Sequence, residues 1–170
     1  MAGHKTVSNS LVGDDMHVSH VSLTKLDASP HQIGQKSGDE SALYSILVVE
    51  DDSGLAHLES EFLKAHGYNV VTVQTGELAI ATLGHFIPNI VVLDLELTGD
   101  VSGWDVFQAL RSLQAPHPIP VLITSSSATA VRTHIRNYAE SRWTLDLLPK
   151  PYLLQSLLKR IQRMLNDAPS

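Results

Sequence analysis

From Ala42 onward, short apolar runs alternate with longer amphipathic stretches, five times over, and this alternation constrains the fold more than any other feature. The runs are Ser45-Ile46-Leu47-Val48-Val49, Asn69-Val70-Val71-Thr72-Val73, Ile90-Val91-Val92-Leu93, Pro120-Val121-Leu122-Ile123-Thr124-Ser125 and the weaker Leu145 to Leu148. An unbroken apolar run of this length predicts a strand buried on both faces, as inside a parallel sheet. Helical stripes lie between them: Leu55, Leu58, Phe62 and Leu63; Leu78, Ile80 and Leu83; Val106, Phe107, Leu110 and Leu113; Val131, Ile135 and Tyr138. The last stripe, Leu154, Leu157, Leu158, Ile161 and Leu165, is the clearest amphipathic pattern in the chain. Asp52 or Ser53 and Thr75 are placed to cap helices, and Gly67 to stop one. Strict alternation with short connections implies an α/β fold: a doubly wound five-stranded parallel sheet with right-handed crossovers and helices on both faces. The common strand order for such a sheet is 2-1-3-4-5, with a crevice beyond the carboxyl ends of strands one and three.

The polar residues at those carboxyl ends carry the chemistry. Strand one runs into Glu50 and Asp51, strand three into Asp94, strand four into Thr124, Ser125 and Ser126, and strand five into Pro149-Lys150-Pro151. A strand buried on both faces has no room for a charge along its length, so Asp94 can ionise only at the mouth. Taken alone, Asp94 could equally be a turn cap; its neighbours across the sheet decide between the two. Two carboxylates 4 Å apart repel by about 4 kcal/mol at an effective dielectric near 20. Protonation, an ammonium or a divalent cation relieves that repulsion. Oxygen-only ligands without His or Cys suit Mg²⁺. Clustered acids, a hydroxyl and a lysine are what phosphoryl transfer to a carboxylate requires, with Asp94 as nucleophile.

The stretch from Ser45 to Leu165 resembles the receiver domain of two-component response regulators, a flavodoxin-like fold. The resemblance rests on Glu50-Asp51, Asp94, Gly103, the strand-four hydroxyl and Lys150-Pro151, in that order. It implies that Asp94 accepts phosphate from a partner's phosphohistidine, on a histidine kinase or a phosphotransfer protein. Asp51, Asp94 and the backbone carbonyl of Glu96 would hold Mg²⁺, and Glu50 would act through a metal-bound water. Ser125 would contact the phosphoryl group; its spacing from Gly103 and Pro120 favours it over the adjacent Thr124. Lys150 would pair with Asp94 and then with phosphate, ahead of a cis peptide at Pro151. The implied protein is a signalling module rather than an enzyme, in the cytoplasm.

Several residues depart from the family pattern. The loop after Asp94 lacks the usual proline and is one residue longer before Gly103. Leu147 stands where the family usually carries a rotating aromatic. The connection before strand five, Tyr138-Ala139-Glu140-Ser141-Arg142-Trp143, is longer than usual, and Trp143 and Tyr152 are candidate substitutes for the aromatic. Simple packing is the favoured reading of both. Glu96 would stand beside the phosphoryl group. Two other readings fit parts of the pattern: a pseudo-receiver that is not phosphorylated, and a haloacid-dehalogenase-like phosphatase built on Asp94-Leu95-Glu96. The intact acids and Lys150 weigh against the first. Against the second weigh Glu in place of the second Asp and acids that precede the lysine.

Composition bounds the remainder. There is no cysteine, which excludes disulfides and thiol chemistry. The net charge of −6, without a long basic cluster, argues against nucleic-acid binding. No apolar stretch is long enough to span a membrane. Residues 1–43 scatter their apolar side chains singly among Ser, Gly, Asp and His and read as a flexible tail. His4, His17, His20 and His31 in it could bind a metal, but a solvated tail is the simpler reading. The receiver spans 44–167, and 168–170 is a short end. That leaves a stand-alone receiver, signalling by protein contact or as a homodimer. The contact surface would be helix four, strand five and helix five, with Arg132, Arg136, Trp143 and Tyr152.

Overall fold

The computed structural model describes residues 44–115, 117–136 and 144–167, apart from the side chains of residues 134 and 136. The residues 1–43 read as a tail, with their histidines, lie outside it, as do Tyr138, Trp143 and the 168–170 end. Among the described residues five strands and five helices alternate: β1 Ser45–Val49, α1 Ser53–Ala65, β2 Asn69–Val73, α2 Gly76–Leu83, β3 Ile90–Asp94, α3 Gly103–Ser112, β4 Val121–Ser125, α4 Ala128–Arg136, β5 Leu145–Pro149 and α5 Leu154–Asn166. All pairings are parallel. The order is β2-β1-β3-β4-β5, as the alternation predicts. No helix among the described residues is long and apolar enough to cross a membrane.

Both faces of the sheet are apolar, and the strands deal their side chains out alternately. Ile46, Val48, Ile90, Val92, Leu122 and Leu148 meet Leu63 of α1 and Leu157, Leu158, Ile161, Met164 and Leu165 of α5. Leu47, Val49, Val91, Leu93, Val121, Ile123 and Leu147 meet Ala79 and Leu83 of α2, Val106, Phe107 and Leu110 of α3, and Val131 of α4. Leu147, in the place of the aromatic, is thus a core residue beside Val131. Continuous apolar strands are the cost-free choice for such a three-layer arrangement, because neither face meets water.

The helix caps follow the sequence. Asp52 accepts a hydrogen bond from the Leu55 N–H at 2.9 Å, and Thr75 from the Leu78 N–H at 3.2 Å. Ser102 and Asp105 cap α3 reciprocally. The stripes of α1 and α2 differ from expectation. On α1 the buried face is Ala56, Glu59, Ser60 and Leu63, and Leu58 is 57% exposed. On α2 it is Gly76, Ala79 and Leu83, leaving Leu78 and Ile80 exposed. In both helices small residues share the inner face with a single leucine, Leu63 or Leu83, and Leu58, Leu78 and Ile80 are turned aside.

Candidate functional site

The parallel strands end together, and the side chains beyond their carboxyl ends share one cleft. Glu50 and Asp94 are buried, each 2% exposed, while Asp51 is half-buried. One carboxylate oxygen from each of Glu50, Asp51 and Asp94 can be chosen so that all lie within 4.8 Å of one another. Lys150 reaches in from the turn after β5, and its Nζ donates to Glu50 Oε2 and to Asp94 Oδ2, both at 2.7 Å. The ammonium therefore sits between two of the three acids. The other Asp94 oxygen, Oδ1, accepts from the Glu96 N–H at 2.9 Å.

These contacts set the electrostatics. Burial pushes the Glu50 carboxyl up, against the pull of the Lys150 ammonium. Burial alone would lower Lys150, but its bonds to Asp94 and Glu50 outweigh that and hold it above the ordinary lysine value. Asp51 is held below the carboxylate range, chiefly by hydrogen bonding from Thr98, whose N–H lies 2.9 Å from Oδ2. Thr98 also fastens the loop after β3 to the acid pair of β1, a link with no signature in the sequence.

Lys150 is aimed by its neighbours. Its backbone N–H donates to the Ser125 carbonyl at 2.9 Å, which ties the β5 end to β4. The Lys150–Pro151 peptide is cis. The next residue corrects an expectation. Tyr152 does not join the α4-β5-α5 surface; its hydroxyl donates to Glu59 Oε1 of α1 at 2.5 Å, and its ring packs on the α1–α5 side. The reason is Glu59 itself, wholly buried on the inner face of α1 and in need of a donor. Glu59 Oε2 has no hydrogen-bond partner among the described residues. Burial, first of all, pushes the Glu59 carboxyl up to about 7. Reading α1 as a leucine stripe hid this residue. An acid one turn before Phe62 and Leu63 on a helix facing a buried sheet was the available signal.

The strand-four hydroxyls part company as alternation predicts. Thr124 Oγ1 is buried without a partner among the described residues. Ser125 Oγ lies 3.3 Å from Glu96 Oε1 and accepts the Ser127 N–H at 2.9 Å. Ser126, unnoticed as a partner in the sequence, holds Glu96 more firmly: its Oγ is 2.7 Å from both carboxylate oxygens and its N–H donates to Oε2 at 3.0 Å. These serine bonds, the Ser126 hydroxyl first, lower the Glu96 carboxyl to about 2. A hollow of about 230 Å³ adjoins them, lined by Glu96, Ser125, Ser127, Val131 and Trp104. Trp104, at the second position of α3, is another residue that sequence reasoning passed over.

Gly103 begins α3 against the end of β3. A methyl group there would lie 2.3 Å from the Asp94 carbonyl oxygen and 2.5 Å from Leu95 Cα, so only glycine fits.

A doubly wound parallel sheet with three acids and a lysine gathered beyond the carboxyl ends of its strands, at the switch point, is where open α/β sheets place their ligands. The family model of the response regulator receiver domain matches residues 46–162, and the chain belongs to that family. Among curated relatives, the cell cycle transcriptional regulator CtrA of Caulobacter vibrioides is 31% identical over 116 residues, 68% of this chain and 48% of that protein. The heme response regulator HssR of Staphylococcus haemolyticus is 32% identical over 119 residues, 70% of this chain and 50% of that protein. The chain thus spans about half the length of the curated relatives it matches. Solved structures with the same fold include the chemotaxis response regulator CheY4 of Vibrio cholerae, with a TM-score of 0.62 at 21% identity over 71% of this chain and 98% of that one. Another is the receiver domain of the sensor histidine kinase PA1611 of Pseudomonas aeruginosa, crystallised with magnesium in its active-site cleft. Its TM-score is 0.61 at 21% identity, over 73% of this chain and 98% of that one. The protein is a receiver module of two-component signalling.

Proposed function

We propose that Asp94 accepts a phosphoryl group from the phosphohistidine of a histidine kinase or histidine phosphotransfer protein, and that the phosphorylated chain signals by protein contact. The observation that carries this reading is the Asp94 carboxylate at the mouth of β3, 2.7 Å from the Lys150 ammonium and clustered with Glu50 and Asp51. An Asp94 oxygen attacks phosphorus, the P–N bond to the donor imidazole breaks, and an acyl phosphate forms. Lys150 then exchanges a carboxylate oxygen for a phosphoryl oxygen, facing a phosphoryl dianion in place of a single carboxylate charge. Ser125, with its hydroxyl on the cleft side, donates to a second phosphoryl oxygen.

The donor set fits Mg²⁺: three carboxylates that converge to within 4.8 Å, no nitrogen or sulfur ligand, and more negative charge than one ammonium offsets. Asp51 and Asp94 would hold it with the Glu96 carbonyl, and Glu50 through water. When bound, it neutralises phosphoryl oxygens. The chain's own residues supply the nucleophile, orient it through the Glu96 N–H, and hold the counter-charge.

Labelling with acetyl phosphate and Mg²⁺ tests the reading. Wild type becomes labelled with a base-labile phosphate, and Asp94→Asn does not; persistent labelling of Asp94→Asn would remove Asp94 from the role. For output, the α4-β5-α5 face carries the exposed Arg132, while Arg160 and Arg163 are both engaged by Asp146. We read this face as the docking surface for a downstream protein or a second copy. The net charge of −6 gives the chain itself no electrostatic pull toward nucleic acid, and its place is the cytoplasm.

A further inference from the structure

Glu96 is exposed, yet its carboxylate is fixed to the β4–α4 connection by three donors: Ser125 Oγ, the Ser126 N–H, and the Ser126 hydroxyl, whose one proton is shared between both carboxylate oxygens. Its own N–H meanwhile donates to Asp94 Oδ1. Glu96 therefore spans the gap between the nucleophile and the strand-four hydroxyls, with an anion at its far end. The donors that hold this anion include the hydroxyl that the receiver reading assigns to the phosphoryl group. A carboxylate and a phosphoryl face present the same features here: negative oxygens that accept from a hydroxyl and a backbone N–H.

We propose that Glu96 is an internal stand-in for the phosphoryl group, seated on the Ser125 and Ser126 donors of the unmodified chain, so that an anion arriving on Asp94 must displace it. The proposal rests on the phosphoacceptor reading of Asp94 and goes beyond it. It makes Glu96 a positioning residue that sets how tightly the cleft takes an anion, and the Ser126 hydroxyl the tether that keeps Glu96 in place. Two carboxylate oxygens cannot remain on Ser125 and Ser126 beside a phosphoryl dianion. Once the phosphoryl group takes the Ser125 hydroxyl, the Glu96 charge has to swing outward, and the Ser126 hydroxyl loses its partner. The link between the β3 and β4 ends is then remade through phosphate instead of through Glu96.

Beryllofluoride with Mg²⁺, a non-covalent mimic of an acyl phosphate, reads the competition directly. Its dissociation constant is measured by titration of the full chain, with Mg²⁺ affinity and thermal melting recorded for each variant. Glu96→Ala keeps the backbone carbonyl and removes the competitor; it binds beryllofluoride about tenfold tighter, the worth of roughly one charge-assisted hydrogen bond. Glu96→Gln, which keeps the size of the side chain, gives a gain of the same sign if the alanine variant folds poorly. Ser126→Ala removes the 2.7 Å hydroxyl tether but leaves the N–H, and gives a smaller gain of the same sign. Wild-type binding with no gain in the Glu96 variants overturns the proposal and leaves the Asp94 reading standing. A gain in the Glu96 variants without one in Ser126→Ala means that Glu96 acts by charge at a distance, which also overturns it. Absence of Mg²⁺-dependent beryllofluoride binding in every chain, wild type included, removes the phosphoacceptor reading and this proposal with it.

Discussion

Glu59 ties α1 to Tyr152, two residues beyond Lys150, through one hydrogen bond, and its buried second oxygen is left without a partner among the described residues. With a carboxyl raised from an ordinary value near 4.5 to about 7, the folded protein holds a proton that the unfolded chain has given up between those two pH values. Stability is therefore higher below pH 4.5 on account of this group and is lost as pH rises toward 7. The displacement is worth about 3 kcal/mol at about 1.4 kcal/mol per pH unit. Glu59→Gln, neutral at every pH, flattens that slope; urea denaturation of both proteins at pH 5, 6 and 7 measures it, and parallel curves would refute the assignment. The strand-four hydroxyls make a second prediction. Thr124 Oγ1 is buried without a partner among the described residues, so Thr124→Val is neutral or stabilising by up to about 1 kcal/mol and leaves acetyl phosphate labelling intact. Ser125→Ala lowers the yield of labelled protein. Reversed effects in the labelling assay would exchange the two roles.

Among the elements, the strands were the most legible and α1 and α2 the least. A strand such as Ile90–Asp94, buried at every position, can only be apolar, and its terminal acid stands out. α5 was equally plain, because long side chains cover its whole inner face. α1 was not: Ala56 and Ser60 carry little hydropathy, yet they set the distance of the helix from the sheet, and Leu58 only flanks the contact. Parallel strands also made most of the site readable, since their carboxyl ends must converge. What could not be read were contacts made by loop backbone and by side chains far apart in sequence: the Thr98 N–H on Asp51, Ser126 on Glu96, and Tyr152 on Glu59. Leu157, wholly buried in α5 against β1, β3 and β4, carries the strongest packing prediction. Leu157→Ala costs about 2–5 kcal/mol, measured by chemical denaturation, and a loss below about 1 kcal/mol would mean that the α1–α5 layer relaxes into the space.

At the scale of the whole molecule, residues 44–167 close both faces of their sheet with their own helices. We therefore expect that removing residues 1–43 shifts the melting temperature by less than about 2 °C and leaves labelling of Asp94 unchanged; a larger fall in calorimetry would show that the segment contributes to the core. The close seating of Gly103 on the Asp94 carbonyl has a consequence for how this molecule tolerates variation in length. It brings the two ends of the 95–102 connection together and turns that connection into a ring with a fixed neck. Thr98 is pinned to Asp51, and Val101 is pressed against Gly76, where a methyl group would lie 2.4 Å from the Val101 carbonyl. Between these two fixed points lie Gly99 and Asp100, both exposed, with Gly99 at φ 124°. An added residue there lengthens the rim of the ring and leaves the neck, where Asp94 sits, at the same diameter. Chemistry at the neck and insertion at the rim are thereby free to vary separately, so that a change of length at the rim does not re-aim Asp94.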